Sequence, residues 1–135
     1  GANSKLFQNV REKEGLAYSA ASNFIRIKDS IFIRCGIEID KFNKAVETIK
    51  QQLEDIKNGN FTEEDINSAK KLITSSMKSI SEEQDAEITY YYGQELSEEY
   101  NSLDEYIEKI NEVTKNEIID LAKDVNINTI YFLRD

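Results

Sequence analysis

Two runs with the alternation of β-strands, residues 16–28 and 31–39, constrain the fold of this chain more than any other feature. The first run places Tyr18, Ala20, Ser22, Phe24 and Arg26 on one face, and in the second run Ile31, Ile33, Cys35, Ile37 and Ile39 alternate with Phe32, Arg34, Gly36 and Glu38. Between them lies Lys28-Asp29-Ser30, a typical turn sequence. Two strands joined by so short a connection form an antiparallel hairpin.

Helical periodicity frames this hairpin. Leu6, Phe7 and Val10 indicate the end of a helix that stops at Gly15. After the hairpin, Asp40 is predicted to cap a long amphipathic helix that ends at Asn58-Gly59. Capping boxes predict the starts of three further helices, and their pairs are Thr62 with Asp65, Ser102 with Glu105, and Thr114 with Glu117. We expect a break around residues 79–84 and a final strand over residues 129–133.

The element order predicts an α+β fold with two layers, in which helices cover a mostly antiparallel sheet. With 135 residues, no proline and no linker composition, residues 1–135 are predicted to form a single domain. The chain begins without an initiator Met. A three-stranded sheet is also small for helices of this length. We therefore expect a fragment of a longer protein, in which the preceding segment supplies at least one more strand.

The charge distribution limits the possible partners. Residues 81–120 carry 13 acidic residues and two lysines, a balance of −11 within a net charge of −9. Such a surface disfavours nucleic acid. It is either a solvated helical face or a surface that attracts a basic peptide or partner. No apolar run is long enough to cross a membrane. The lone Cys35 cannot form an internal disulfide, which suits a reducing compartment, and we expect a cytoplasmic protein.

Histidine is absent from the chain. Catalytic zinc sites nearly always include histidine, and Ser–His–Asp and Cys–His arrangements require it. We therefore expect no catalytic residue, no metal ligand and no cofactor in this chain by itself. Cys35 is predicted to be a buried, unreactive thiol.

Arg11 and Tyr18 remain as candidates for a binding role. A turn at Gly15 would bring the helix end and the strand start to the same end of the sheet. A guanidinium and a phenol both donate hydrogen bonds to a carbonyl oxygen and stabilise an oxyanion more strongly. The alternative is structural. Arg11 would pair with Glu14 or a helix carbonyl, and Tyr18 would fill the edge of the core.

The segment SKLFQNVREKEGLAYS, residues 4–19, followed by the hairpin and the helix start GNFTEED at residues 59–65, resembles the pitrilysin/insulinase family of zinc metallopeptidases, the inverzincins. The similarity is to the C-terminal-half domain. It implies the LuxS/mitochondrial-processing-peptidase-like metallohydrolase fold. In this family one unit carries H-x-x-E-H, which binds zinc, and a second unit supplies an Arg and a Tyr that hold the peptide. The resemblance places these two residues at Arg11 and Tyr18.

The chain lacks H-x-x-E-H, so the resemblance leaves two functions open. In the first, it is the substrate-binding domain of a zinc-dependent metalloendopeptidase, and an N-terminal-half domain or a zinc-bearing partner subunit holds the metal. In the second, it comes from the bacterial subfamily that lacks the zinc motif and is a non-catalytic assembly or partner subunit. The fragment is also expected to self-associate through an unpaired sheet edge or a bare helix face.

Overall fold

The structure, a computed structural model, describes residues 8–25, 28–97 and 100–133. The predictions for Leu6, Phe7 and Arg26 lie outside these residues. In chain order the elements are α1 (Gln8–Lys13, a π-helical turn), β1 (Ala17–Ile25), β2 (Ser30–Ile37), α2 (Phe42–Lys57), α3 (Glu63–Glu82), α4 (Gln84–Ser97), α5 (Leu103–Glu112) and α6 (Lys115–Asp124). A short 3₁₀ turn, Ile39–Lys41, precedes α2.

The chain divides into two compact units. The first contains residues 1–24, 31–61 and 115–135, and the second contains residues 25–30 and 62–114. None of the helices within the described ranges is both long and apolar enough to cross a membrane.

The first unit contains α2, α6 and the hairpin strands without residues 25–30. Strands β1 and β2 form a two-stranded antiparallel sheet, as the alternation predicts. A cluster of three buried residues, Val10, Leu16 and Ala17, lies where α1 meets β1, and Cys35, Ile37 and Ile49 pack against it. Helix α2 packs on α6, where the small residues Ala45 and Ala122 are buried. The α+β prediction is confirmed.

Helix α2 ends as the sequence predicts. Gly59 has the left-handed φ of +71°, its N–H donates to the carbonyl of Ile56, and the N–H of Asn60 donates to that of Asp55. This hydrogen-bond pattern is the Schellman motif. Beyond it, Lys115 of α6 donates to the carbonyl oxygen of Phe61 at 2.6 Å and lies 4.9 Å from the centre of the Phe61 ring.

The second unit is helical, with α3 packed against both α4 and α5. Its buried side chains include Ile66, Leu103 and the amide of Gln94. The Gln94 side-chain oxygen accepts from the backbone N–H of Asn101 at 3.0 Å, and the Tyr90 hydroxyl donates to the carbonyl of Asn101 at 3.2 Å. These bonds hold Asn101 against α4.

Two predicted capping boxes are confirmed, at Thr62 with Asp65 and at Ser102 with Glu105. In each, the hydroxyl accepts from the third helical N–H, and the carboxylate accepts from the capping residue's own N–H. The break is also confirmed, because α3 ends at Glu82 and the extended Glu83 separates it from α4. Helix α6 begins directly after Thr114, and the box predicted there stays a prediction.

Two predictions are wrong. Asp40 does not cap α2, because it lies inside the 3₁₀ turn that runs directly into that helix. The N–H of Phe42 there donates to the carbonyl of Ile39, so a backbone oxygen takes the role predicted for the cap. The second error is the final strand. Residues 129–133 are not paired with either described strand, and Phe132 instead stacks on Phe42 with ring centres 4.3 Å apart.

Candidate functional site

The candidate site is the connection from α1 to β1, residues 9–18, which we call the helix–strand corner. Gly15 adopts φ +59°, a left-handed conformation that glycine reaches without the penalty a side chain adds. The N–H of Glu14 donates to the carbonyl of Asn9 at 3.1 Å, and the N–H of Leu16 donates to that of Val10 at 3.0 Å. These bonds close the turn and bring the end of the helix to the start of the strand.

Side chains attach the corner to the start and middle of α2. The Asn9 amide donates to the side-chain oxygen of Gln52 at 2.7 Å. The Lys41 ammonium lies 3.4 Å from the carbonyl oxygen of Gly15 and 3.2 Å from the Glu38 carboxylate. Together with the buried cluster, these contacts give the corner a defined position within the first unit.

Arg11 and Tyr18 each follow a buried member of that cluster. Val10 is fully buried and precedes Arg11, and Ala17 is 8% exposed and precedes Tyr18. Both candidate side chains are exposed, Tyr18 to 72%. The alternative in which Tyr18 fills the edge of the core therefore does not hold. The role of the two residues in binding a peptide stays a prediction.

Two further residues of the hairpin lie beside Tyr18. Gly36 is opposite it on β2, and Ser19 is the next residue on β1. The sequence did not identify either of them as a functional residue. The Tyr18 ring reaches from β1 across to β2 and covers Gly36. The N–H of Gly36 donates to the Ser19 hydroxyl at 3.2 Å. A glycine inside a strand often marks a close approach of this kind, and that signal could have identified Gly36.

Outside the corner, the groups that could be reactive include the Cys35 thiol and the carboxylates. Burial raises the pKa of the Cys35 thiol, which disfavours the nucleophilic thiolate and agrees with an apolar packing role. Within residues 8–25, 28–97 and 100–133, no three His, Cys, Asp or Glu side chains are grouped so that they could hold a metal ion. The expectation that zinc is held by another half or subunit of such a peptidase stays a prediction.

The second unit has an open cleft of about 450 Å³ beside α4. Its lining residues are Ile80, Asp85, Ala86, Thr89 and Tyr90. This lining is mostly apolar and offers a carboxylate without an opposing cation or a second carboxylate. The cleft therefore offers fewer charged groups that could bind a ligand than the helix–strand corner does.

Comparison with known proteins bears on the family. Residues 1–73 match the family described as "Peptidase M16 inactive domain". The chain is 34% identical over 133 residues to the "Probable inactive metalloprotease YmfF" of Bacillus subtilis (strain 168), which covers 98% of this chain and 31% of that protein. It is 29% identical over 123 residues to the "Uncharacterized zinc protease YmxG" of the same organism, covering 89% of this chain and 30% of that protein.

Solved structures agree on the fold. A conserved protein from Enterococcus faecalis V583 superposes with a TM-score of 0.81 at 32% identity, over 91% of this chain and 29% of that one. A protease from Helicobacter pylori superposes with a TM-score of 0.73 at 19% identity, over 91% and 30% of the respective chains. The chain thus spans about a third of the length of these relatives. The predicted family resemblance and fold are confirmed.

Proposed function

The chain belongs to the Peptidase M16 inactive-domain family, and from this premise we propose that it binds the peptide substrate of a zinc-dependent metalloendopeptidase. In this proposal Arg11 and Tyr18 contact the peptide, and zinc and the water-activating residues belong to an N-terminal-half domain or a zinc-bearing partner subunit. By itself the chain does not hydrolyse peptides.

The chemistry of the two side chains suits this role. A guanidinium offers several N–H donors in a fixed plane, and a phenol offers one O–H donor. Hydrolysis of a peptide bond converts a neutral carbonyl oxygen into an oxyanion. Donors placed beforehand at that oxygen stabilise the oxyanion more than the carbonyl and so lower the barrier.

The observation that carries the proposal is the placement of both residues on one anchored corner. Val10 and Ala17 are buried in the same cluster, and the N–H of Leu16 donates to the carbonyl of Val10. The two residues that follow them, Arg11 and Tyr18, are exposed. Fixed backbone with exposed donors is what preorganised binding of a substrate requires.

The test is peptide hydrolysis by the full-length protein. We expect Tyr18→Phe and Arg11→Ala each to lower kcat by about 100-fold, the effect of removing one oxyanion donor. The wild-type activity should be lost when zinc is chelated. The matched controls are Tyr92→Phe and Arg34→Ala, which make the same changes at exposed positions outside the corner and should keep activity near wild type. Unchanged turnover in both corner variants would refute the proposal.

A second function is favoured by one specific observation. The relative with 34% identity carries the name of a probable inactive metalloprotease. The second candidate is therefore a non-catalytic partner or assembly subunit of the same fold. It predicts no chelator-sensitive hydrolysis by the full-length protein alone, and recovery of activity only when a zinc-bearing partner subunit is added.

A further inference from the structure

We propose that Gly36 is a positioning residue, which provides the seat on β2 that holds the Tyr18 ring in place. The inference rests on the proposed function, in which the Tyr18 hydroxyl contacts the peptide. It adds a residue that touches no substrate itself and acts only through Tyr18.

The geometry leaves no room for a side chain at this position. A Cβ atom built on Gly36 would lie 2.7 Å from the Tyr18 hydroxyl oxygen, and the ring atoms Cζ and Cε2 would be closer still. Carbon atoms in favourable contact are separated by about 3.5–4.0 Å. Any side chain at position 36 must therefore displace the ring, whereas glycine lets the ring lie directly on the strand.

Space, and not backbone conformation, is the reason for glycine here. Gly15 and Gly59 have the left-handed φ values of +59° and +71°, which L-residues rarely adopt, but Gly36 does not have a left-handed φ. An alanine at position 36 is therefore compatible with the backbone of β2. Aromatic side chains that cover a strand glycine across a sheet are a known stabilising arrangement.

The contact with Gly36 matters because most of the Tyr18 side chain faces solvent. Its side chain is 72% exposed, and an exposed side chain samples several rotamers unless a contact selects one. The neighbouring Ser19 hydroxyl accepts the N–H of Gly36 at 3.2 Å, so β1 contacts Gly36 through two successive residues. This bond fixes the strand backbone beneath the ring.

The consequence for function follows from the tolerance of oxyanion contacts. A donor must lie about 2.7–3.1 Å from the oxygen that it stabilises. A displacement of about 1 Å can lower a rate 100-fold. Gly36→Ala keeps the tyrosine but moves its hydroxyl, so we expect kcat to fall about 10- to 100-fold with a small change in KM. Its midpoint of urea unfolding should stay at or above that of wild type.

The experiment compares four variants of the full-length protein in peptide hydrolysis and urea unfolding. They are Gly36→Ala, Tyr18→Ala, the double variant of both, and Gly93→Ala as the matched control. Beyond its chain neighbours and its own stretch of helix backbone, a Cβ at Gly93 meets no atom within 4 Å, so this control makes the same change where space is open. In the double variant the ring is gone, and we expect no further loss beyond Tyr18→Ala. If hydrolysis is undetectable, the Kd of a peptide transition-state analogue, which carries the charge of the oxyanion, substitutes for kcat in the same comparison.

The outcomes separate the inference from the function beneath it. If Tyr18→Ala lowers turnover while Gly36→Ala behaves like Gly93→Ala, the positioning role is overturned and the proposed function stands. If Tyr18→Ala leaves turnover and the Kd of the transition-state analogue unchanged, the role of Tyr18 in the proposed function fails, and the functional role of Gly36 fails with it. Nuclear Overhauser contacts between the Tyr18 ring protons and the Gly36 α-protons test the seat without any activity, and their absence in the wild-type protein would overturn it.

Discussion

At the scale of single residues, the candidate site depends on buried side chains that hold its backbone in place and contact no substrate in the proposed function. Val10 is fully buried, and it precedes Arg11 in the chain. The sequence itself indicated Arg11 and Tyr18 as candidates, and the resemblance then gave them a role, because both lie in one local motif. The sequence did not identify Gly36 in the same way. Its role comes from a contact with Tyr18, 18 positions earlier in the chain, and no local pattern shows such a contact. The glycine inside an apolar strand was the available signal.

We predict that Val10→Ala destabilises the first unit by about 2 kcal/mol, since two methyl groups lose their burial and leave a cavity. The measurement is urea unfolding followed by circular dichroism. Leu121→Ala is the control, because this larger side chain is 71% exposed on α6 and its truncation should change the free energy of unfolding by less than about 0.5 kcal/mol. Equal losses in the two variants would contradict the central place of Val10 in the cluster.

At the scale of secondary-structure elements, most predictions that rest on neighbouring residues succeeded, whereas the cap predicted at Asp40 failed because a 3₁₀ turn occupies that position. The capping boxes at Thr62 and Ser102 and the helix stop at Gly59 each involve residues three to five positions apart. The final strand failed because a strand needs a partner for its N–H and C=O groups, and the sequence of residues 129–133 does not contain that partner. The contact of Phe132 with Phe42 spans 90 positions and has no local signature.

The cap of α5 makes a prediction about pH. The pKa of Glu105 lies below its ordinary value of 4.5, chiefly because its carboxylate accepts the backbone N–H of Ser102. The hydroxyl of Ser102 and the charge of Lys109 lower the pKa further. A folded pKa below the unfolded one means that the charged carboxylate stabilises the folded state above pH 4.5. This contribution is lost as the pH falls through the lower, folded value.

The test uses Glu105→Gln, which keeps a side chain able to form the box but removes the titrating group. Urea midpoints measured from pH 6 down to pH 3 should fall more steeply for wild type than for this variant, with the difference arising below about pH 4.5. Two curves that stay parallel over this range would show that the capping carboxylate does not couple folding to protons.

At the scale of the whole molecule, the chain has two compact units and an uneven charge. Within the described residues the sheet has two strands, so each strand has one edge without a neighbouring strand there. A two-stranded hairpin is marginal without further packing. On it, Phe24, Ile31 and Phe32 are each more than half exposed. The second unit exposes a stripe along α4, formed by Ile88, Tyr92 and Leu96 at helical spacing. Both surfaces are candidates for contacts between chains.

We predict that the 135-residue chain self-associates and that the hairpin edge is the main contact. An open edge presents backbone donors and acceptors to a second chain, and apolar side chains add to the attraction. Helix α4, by contrast, carries Asp85, Glu87 and Glu95 and no basic residue, and like charges would meet if two copies joined through it. Sedimentation velocity should therefore show a weight-average sedimentation coefficient that rises with concentration. Phe32→Lys, which places a charge on the strand, should abolish this rise, whereas Tyr92→Lys should leave it. The opposite result would assign the contact to α4, and a monomer at the highest concentrations would contradict self-association altogether.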